Sequence, residues 1–250
     1  MDMPPKLSIV IPAYNEAASF RAGMLDSALD YLKSAPFTYQ VLFVDDGSTD
    51  DTRELLTTLA KKDNRISVMS IPHGGKAAAV TAGILKASGE YILFTDFDQS
   101  TPLPQVDKFL AAHAKGADAV IGIRGHRTQN DTWVRKFRSG VFVTLVQLVA
   151  LPGIQDTQCG FKSFRKDVAK KIFSNLLVSL PGGSITGGYM GAFDVEALFL
   201  ARRLRAVIAQ VPVTWIKYPS TRLNIWKEPL QMLVDTVKVR LYGILNKYHV

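Results

Sequence analysis

Short, almost continuously apolar runs alternate with helical segments through the first half of the chain, and this alternation constrains the fold more than any other feature. The runs predict strands at Leu7–Pro12, Val41–Val44, Ile66–Ile71, Tyr91–Phe94 and Ala119–Gly122. Predicted helices between them cover Glu16–Lys33, Thr52–Lys62, Lys76–Ala87 and Gln105–Lys115. Strands without polar alternation are typical of a sheet that is covered on both faces. The sequence therefore predicts a Rossmann-like α/β fold, with a mostly parallel sheet flanked by helices.

Polar turns follow the first four predicted strands, at the point where each strand ends. The turns are Pro12–Glu16, Asp45–Ser48, His73–Lys76 and Asp96–Asp98. In open α/β sheets, ligands bind beyond the carboxyl ends of the strands, and parallel strands bring these ends to one edge. We therefore expect the four turns to form a single ligand-binding site.

Two aspartates stand at alternate positions in the segment FTDFDQSTP, directly after the fourth predicted strand. Residues two apart in a strand face the same side, so the carboxylates of Asp96 and Asp98 are expected to project together. Mg²⁺ and Mn²⁺ prefer oxygen ligands, and Mg²⁺ takes one or two carboxylates besides water and substrate phosphate. The spacing alone leaves two interpretations, a cation site and an acidic turn before a helix near Pro102.

The turns around Asp45 and Lys76 also leave alternatives. At the tip of the second strand, Asp45 is placed to accept hydrogen bonds from a base or ribose. Asp50 and Asp51 are favoured as turn residues, and one or the other can cap the next helix. The segment His73–Lys76 lacks the spacing of a P-loop, and no GxGxxG follows the first strand. Lys76 therefore either contacts a ligand or belongs to the scaffold.

The second half of the chain is less regular. It contains a predicted basic helix at Trp133–Leu151, a turn at Gln155–Phe161, a glycine-rich stretch at Pro181–Gly191, a helix at Val195–Arg205, a strand at Val211–Ile216 and an apolar segment at Ile225–Leu245. Lysine and arginine interrupt the last segment, which predicts amphipathic C-terminal helices that can lie in a bilayer surface. Since the sequence has no internal repeat or low-complexity linker, we expect one domain over residues 1–250.

Positive charge dominates the chain, with 30 lysine and arginine residues against 22 aspartate and glutamate residues and a net charge of +8. This balance suits a phosphorylated ligand, an anionic membrane surface or nucleic acid. Arg135 and Ser139 lie one helical turn apart and can donate to one phosphate. The aromatic residues near them suit a membrane interface better than base stacking, so we expect no nucleic acid partner.

Several other function classes lack their sequence signals. Cys159 is the single cysteine, so no internal disulfide forms and a reducing compartment is permitted. The four histidines are scattered, and no GxSxG motif of a serine hydrolase is present. The longest apolar stretch, Val141–Leu151, is shorter than the roughly 20 residues of a membrane span. With no signal-peptide pattern, we expect a cytoplasmic protein without a transmembrane helix.

Six motifs occur in an order that resembles the inverting family 2 glycosyltransferases of GT-A fold. They are SIVIPAYNE, VDDGSTDDT, HGGKAAAVTAGI, TDFDQSTP, DTQCGFKSF and VPVTW, and the resemblance extends from Leu7 to Arg222. Within this family, the chain looks most like the dolichyl- or polyprenyl-phosphate hexose synthases. The segment DTQCGFK is similar to the glucosyl branch, which uses UDP-glucose, and less like the mannosyl branch, which uses GDP-mannose.

The resemblance implies a set of residues on the donor side of the site. The residues implied to border the nucleotide base and ribose are Pro12, Tyr14, Glu16 and Asp45. Arg222, in the segment PSTRLN, would close over the phosphates of the donor. We add Lys76 to the donor-binding residues because it follows the two glycines of the third polar turn.

The resemblance also implies a cation site and an acceptor site. Asp96 and Asp98 would hold Mg²⁺ or Mn²⁺ on the donor diphosphate. The residues implied to receive the lipid phosphate are Arg124, Arg135 and Ser139. We assign catalytic roles to Asp98, Arg124 and Asp156, of which Asp156 would orient the acceptor or a metal-bound water.

Two positions depart from the family pattern. Ser100 stands where many relatives have a glutamine that contacts the metal, and no Gln-X-X-Arg-Trp follows Ile216. The expected reaction is metal-dependent, inverting transfer of glucose from UDP-glucose to a polyprenyl or dolichyl phosphate, by a protein that contacts the cytoplasmic face of a membrane peripherally. Residues 1–122 would bind the nucleotide sugar, and residues 123–250 would face the acceptor and the membrane. The alternatives are mannosyl transfer from GDP-mannose, a soluble glycan acceptor, and a non-catalytic nucleotide-sugar-binding module.

Overall fold

A computed structural model describes residues 4–125, 150–180, 192–216 and 227–250. Within these ranges the strands are β1 (Leu7–Ala13), β2 (Tyr39–Asp45), β3 (Ile66–Ser70), β4 (Tyr91–Phe94), β5 (Ala119–Arg124), β6 (Lys162–Arg165) and β7 (Ile208–Val213). The helices are α1 (Ala17–Arg21), α2 (Asp26–Lys33), α3 (Thr52–Ala60), α4 (Gly75–Lys86), α5 (Val106–Ala114), α6 (Lys166–Phe173), α7 (Phe193–Arg203) and α8 (Lys227–Ile244). A short 3₁₀ helix covers Leu103–Gln105.

The strands of the described residues form one seven-stranded sheet in the order β3-β2-β1-β4-β6-β5-β7. Strands β1 to β4 pair in parallel, β5 pairs in parallel with β7, and β6 runs antiparallel between β4 and β5. The carboxyl ends of β1, β2 and β4 lie side by side, because Ala13 pairs with Asp45 and Val10 pairs with Phe94. The predicted mostly parallel α/β sheet is confirmed.

Strand β1 has a hydrophobic core on each of its two faces. Val10 belongs to the core that contains buried residues of α4, α6 and α7. Its neighbours Ile9 and Ile11 belong to the other core, which contains Leu32 of α2 and Phe109 of α5. Alternate residues of a strand point to opposite faces, so a strand that is covered on both sides has no polar face. This explains why the central strands appear in the sequence as almost continuous apolar runs.

Helix α4 packs close against the sheet at a glycine. A Cβ atom on Gly83 would lie 2.4 Å from Val10 Cγ1 and 2.9 Å from Val44 Cγ2. Both distances are well below the separation of carbon atoms in van der Waals contact, so a larger residue would push the helix outward. The contact positions the start of α4, with Gly75 and Lys76, beside the carboxyl edge of the sheet.

Two predicted elements differ from the structure, and one observed strand is not predicted. The helix expected at Glu16–Lys33 is the two helices α1 and α2, because Gly23 adopts a φ of 75° between them. The sequence does not predict β6, because this strand has only four residues, KSFR, and most of them are polar. Strand β7 covers Ile208–Val213 and therefore lies earlier in the chain than the predicted Val211–Ile216.

Two further predicted segments fall outside the described residues. The helix expected at Trp133–Leu151 does so almost entirely, and the glycine-rich stretch Pro181–Gly191 does so completely. The apolar segment Ile225–Leu245 contains α8. Among the residues that the structure describes, no helix combines the length and the apolar composition needed to cross a membrane.

Candidate active site

One buried carboxylate anchors the turn after β3 to the end of β2. Asp46 is 3% exposed and accepts hydrogen bonds from the backbone N–H groups of Gly74 (2.8 Å) and Gly75 (2.9 Å). Nδ1 of the His73 ring donates to the Asp46 carbonyl oxygen at 3.0 Å and lies 2.9 Å from the same carboxylate. These bonds place Lys76, at the start of α4, beside the end of β2. Asp46 is not among the residues predicted from the sequence, although the paired aspartates of VDDGST were an available signal.

The other aspartates of the β2 turn have separate partners. Asp45 is buried, and its Oδ1 accepts a hydrogen bond from the Ser48 N–H at 3.1 Å. Asp50 accepts from the Thr52 N–H at 3.0 Å, which confirms it as a turn former. Asp51 stands at the N-cap position of α3 and forms an exposed ion pair, without a side-chain capping bond. Of the two aspartates predicted as alternative caps, Asp50 is therefore the one whose side chain bonds to the first N–H of α3.

The turn after β1 is tied to the turn after β2. Tyr14 stacks on the ring of His73, with ring centroids 4.2 Å apart and an angle of 19° between the planes. Asn15 adopts a φ of 53°, and its side-chain oxygen accepts a hydrogen bond from the Thr49 N–H at 2.8 Å. The structure therefore brings to one edge of the sheet the predicted donor residues Pro12, Tyr14, Glu16 and Asp45.

A tight turn directly after β4 carries the two aspartates of the predicted cation site. Gln99 adopts a φ of 50° and donates from Nε2 to the Asp96 carbonyl oxygen at 2.8 Å. The Ser100 N–H donates to Asp98 Oδ1 at 2.9 Å, so Ser100 supports this aspartate through its backbone. The Asp96 side chain is 33% exposed and lies at the carboxyl edge of the sheet.

The carboxylate of Asp96 lies between an ammonium group and a glycine. The ammonium of Lys76 donates to Asp96 Oδ1. A Cβ atom on Gly160 would lie 1.9 Å from Asp96 Oδ2, so only glycine lets the turn before β6 approach this carboxylate. Burial lowers the pKa of Lys76, but the carboxylates of Asp96, Asp194 and Asp98 outweigh this effect and leave that pKa raised. Lys76 is therefore a positive charge at the site.

An ion pair joins β5 to the turn before β6. Arg124 donates from Nε to Asp156 Oδ2 at 2.6 Å and from Nη2 to Oδ1 at 2.8 Å. The ring of Trp215 lies 5.6 Å from the guanidinium carbon. Burial raises the pKa of Asp156, but the hydrogen bonds and positive charge of Arg124 outweigh this effect and lower it. Asp156 therefore stays ionised and orients Arg124.

The structure describes one of the three predicted acceptor residues. Arg124 lies at the end of β5, and its guanidinium contacts Asp156. Arg135 and Ser139 lie outside the described residues, and so does the predicted donor residue Arg222. Their roles stay predictions.

A fully buried lysine supports the same turn, and no sequence pattern indicates its burial. Lys162, the first residue of β6, is 0% exposed and donates to Asp194 Oδ1 and to the Cys159 carbonyl oxygen, both at 2.5 Å. Cys159 directly precedes Gly160, so this lysine holds the turn that contacts Asp96.

The carboxylates of Asp96 and Asp98 fit a divalent cation. Among the described residues, no group of three or more histidine, cysteine, aspartate or glutamate side chains is arranged to hold a metal. A pair of carboxylates suits Mg²⁺, which is commonly held by one or two of them together with substrate phosphates. The ammonium of Lys76 contacts Oδ1 of Asp96, so a cation at this carboxylate would have Lys76 as its neighbour.

Comparison with known proteins finds both sequence and structural relatives. The family model described as "Glycosyl transferase family 2" matches residues 8–173. The chain is 32% identical to a dolichyl-phosphate beta-glucosyltransferase of Dictyostelium discoideum, over 96% of this chain and 75% of that protein. It is 34% identical to the Homo sapiens protein of the same name, over 96% of this chain and 76% of that protein.

Solved structures show the same fold at lower identity. Mannosyl-3-phosphoglycerate synthase from Rubrobacter xylanophilus aligns with a TM-score of 0.65 at 17% identity, over 98% of this chain and 76% of that one. Glucosyl-3-phosphoglycerate synthase from Mycobacterium tuberculosis, in complex with Mn²⁺, UDP and glucosyl-3-phosphoglycerate, aligns with a TM-score of 0.57 at 20% identity, over 96% and 79%. These likenesses confirm the predicted GT-A fold.

Proposed function

The chain belongs to glycosyl transferase family 2, and from this membership we propose that it transfers glucose from UDP-glucose to a dolichyl or polyprenyl phosphate, with inversion and with Mg²⁺ or Mn²⁺ as cofactor. The names of the curated relatives support the sugar and the lipid. The observation that carries the proposal is the position of Asp96 and Asp98 at the carboxyl edge of the sheet, with Lys76 and the Gly160 turn against Asp96.

The nucleotide would lie along the turns after β1 and β2. The stacked rings of Tyr14 and His73 offer an aromatic face near these turns. The carboxylate of Asp45 lies at the end of β2 and is assigned to the ribose or base. The diphosphate would then reach toward Asp96 and Lys76. A structural relative that carries UDP and Mn²⁺ supports this use of the fold.

Asp96 and Asp98 would hold the cation of the donor site. A divalent cation there supplies positive charge that neutralises the developing charge of the departing diphosphate. The ammonium of Lys76 adds a second positive charge within the same group of carboxylates. The Ser100 N–H keeps Asp98 in place without occupying both of its oxygens.

The acceptor needs positioning more than activation. A phosphate monoester is already anionic near neutral pH, and arginine binds it through charge-assisted hydrogen bonds. We assign this task to Arg124 together with Arg135 and Ser139. Because the pKa of Asp156 is lowered, this carboxylate orients Arg124 and does not remove a proton. Attack on the sugar from the face opposite the diphosphate inverts the anomeric carbon.

Helix α8 offers a surface for the membrane that holds a lipid acceptor. Its exposed apolar side chains recur at helical spacing, namely Val234, Val237, Leu241 and Ile244. Lys238 and Arg240 are exposed on the same helix, whereas its Asp235 is buried. An apolar stripe with basic residues beside it suits the surface of an anionic bilayer. Peripheral contact with the cytoplasmic face of a membrane is therefore part of the proposal.

Co-sedimentation with vesicles tests the membrane contact. The protein should bind vesicles that contain phosphatidylserine more strongly than vesicles of phosphatidylcholine alone. Leu241→Asp should reduce this binding several-fold, since it introduces a negative charge into the apolar stripe of α8. Lys86→Asp, at an exposed position on α4, serves as the control. Equal binding by both variants would remove α8 from the proposal.

A transfer assay tests the reaction. Purified protein receives a short-chain polyprenyl phosphate, Mn²⁺ or Mg²⁺, and radiolabelled UDP-glucose or GDP-mannose in parallel, followed by extraction into organic solvent. Label should enter the organic phase from UDP-glucose only when both metal and lipid are present. Label from GDP-mannose instead would establish the mannosyl alternative, and donor hydrolysis or transfer without lipid would favour a soluble acceptor.

Substitution of the cation site adds a second test. Asp98→Ala should reduce transfer by roughly a thousandfold, because it removes Lewis-acid stabilisation worth several kcal/mol. Its melting temperature should match that of the wild type, since Asp98 is partly exposed and bonds to a neighbouring N–H. Loss of folding along with activity would withdraw the metal role from Asp98.

A further inference from the structure

The ammonium group of Lys76 occupies the carboxylate that the proposed cation needs. Lys76 is the second residue of α4, and its side chain is 17% exposed. It donates to Oδ1 of Asp96, while Oδ2 of the same carboxylate faces the backbone at Gly160. A divalent cation that reaches Asp96 therefore meets a positive charge that is already in place.

The backbone of Lys76 is held firmly, but its side chain can change direction. Asp46 binds the N–H groups of Gly74 and Gly75, and Gly83 brings α4 into close contact with the sheet. The ammonium stands on a flexible four-carbon stem, so it can leave Asp96 without movement of the helix. Any exchange of partners is thus confined to the side chain.

The surrounding charges favour such an exchange. The carboxylates that act on the Lys76 ammonium are those of Asp96, Asp194 and Asp98. Asp194 is already paired with the buried Lys162, which leaves Asp96 and Asp98 to balance both Lys76 and an incoming cation. The two carboxylates would carry two negative charges, whereas the Lys76 ammonium and a divalent cation together carry three positive charges. The ammonium and the cation repel each other at short range. A diphosphate would supply the missing negative charge.

We propose that Lys76 couples cation binding to nucleotide binding at this site, by leaving Asp96 for the diphosphate when the donor binds. The inference rests on the proposed function. It adds to the donor site an exchange of Lys76 between Asp96 and the diphosphate. Without the nucleotide, Lys76 holds Asp96 and the cation binds weakly. With the nucleotide, Asp96 is released and both ligands bind tightly. The coupling is reciprocal, so the cation strengthens nucleotide binding by the same factor.

Binding of Mn²⁺, measured by electron paramagnetic resonance with and without UDP, tests the coupling directly and needs no lipid or transfer. Lys76→Met removes the charge and should tighten Mn²⁺ binding in the absence of UDP by about tenfold, within the usual range of coupling between sites. UDP should then strengthen Mn²⁺ binding less in this variant than in the wild type, by a similar factor. Lys76→Gln gives a second uncharged variant in case the first does not fold.

Two matched variants serve as controls. Lys76→Arg keeps the positive charge and should bind Mn²⁺ as weakly as the wild type when UDP is absent. Lys86→Met removes an exposed charge in the last turn of the same helix and should change neither titration. Unchanged or weaker Mn²⁺ binding by both uncharged Lys76 variants overturns the inference, even if transfer activity confirms the proposed function. Coupling of Mn²⁺ and UDP binding that weakens in the uncharged Lys76 variants, in a protein that transfers no sugar, would support the inference and overturn the proposed function.

Discussion

The two sides of Asp96 are held in place in different ways. On the side of β1 and β2, here called the donor flank, carboxylates accept hydrogen bonds from backbone N–H groups, as Asp46 does from the turn before α4. On the side of β5 and β6, here called the acceptor flank, they pair with poorly exposed side-chain cations, in Arg124–Asp156 and Lys162–Asp194. A buried charge that loses its partner is left uncompensated, whereas a backbone N–H that loses its acceptor is an unpaired neutral group and costs less. The acceptor flank should therefore depend more strongly on single side chains.

The largest expected effect is on the acceptor flank, at Lys162. Lys162→Met leaves Asp194 in its buried position without its hydrogen-bonded counter-charge and removes the bond to the Cys159 carbonyl oxygen. The free energy of unfolding should fall by about 3–5 kcal/mol, the usual range when one partner of a buried pair is removed. Chemical denaturation of the wild type and the variant measures the difference.

A double substitution separates the buried charge from loss of packing. Lys162→Met combined with Asp194→Leu removes both charges and should recover most of the lost stability, since apolar pairs often replace buried ion pairs without loss. Lys171→Met, on the exposed face of α6, should change the free energy of unfolding by no more than about 0.5 kcal/mol. A loss below about 1 kcal/mol for Lys162→Met would contradict the greater dependence of the acceptor flank.

A smaller effect is expected on the donor flank, at Asp46. Asp46→Ala removes the acceptor for Gly74 and Gly75. A hydrogen bond to a charged group is worth about 1.5–3 kcal/mol, and two bonds to one carboxylate are not additive. The free energy of unfolding should fall by about 2 kcal/mol, and UDP affinity should fall with it because the start of α4 is no longer fixed. Denaturation and calorimetric titration with UDP measure the two quantities.

The control for Asp46 lies in the same turn. Asp51→Ala breaks the ion pair with Arg21, whose partners are 61% and 55% exposed, so it should cost less than about 0.5 kcal/mol. If Asp46→Ala proved more destabilising than Lys162→Met, the comparison between the two flanks would be reversed.

The same difference explains what could be predicted from the sequence. The donor flank follows parallel strands that are apolar throughout, so the polar turns after them, including Asp96 and Asp98, are recognisable from their position alone. Even there, the bonds of Asp46 to the glycines after β3 depend on how β2 and β3 are aligned. Local patterns therefore identify the location of the turns and miss the contacts between them.

The acceptor flank could not be predicted in this way. Lys162 and Ser163 are polar residues at fully buried positions, and polar residues in the sequence predict exposure. Their burial is explained by partners that are distant in the chain, Asp194 for the lysine and His113 for the serine. No local periodicity encodes such pairs, which is why β6 was absent from the predicted strands. Arg124 and Asp156 were both predicted as site residues, but their pairing was not.

The smallest expected effect concerns His113, which lies behind β6 and shows whether the acceptor flank is sensitive to pH. The ring is buried and donates from Nδ1 to the Ala117 carbonyl oxygen at 2.8 Å. Its Nε2 lies 2.7 Å from the Ser163 hydroxyl, which donates to the ring when the ring is neutral. Burial lowers the pKa of His113, although Asp118 and Glu90 oppose this effect. The unfolded chain therefore takes up a proton near pH ~6.5 that the folded protein does not.

The sign of the pH dependence follows from this difference. The contribution of neutral His113 is complete above pH ~6.5 and is lost as the pH falls below that value, by at most about 1.4 kcal/mol per pH unit. His113→Gln keeps a polar side chain without the titration, so denaturation curves from pH 7.5 to pH 5 should show a shallower decline in stability for this variant. Both proteins contain the same other three histidines, so the difference between their curves reports on position 113. Parallel curves would mean that the ring is protonated within the fold. The acceptor flank would then tolerate a charge added behind β6 as readily as the donor flank tolerates the charge removed by Asp51→Ala.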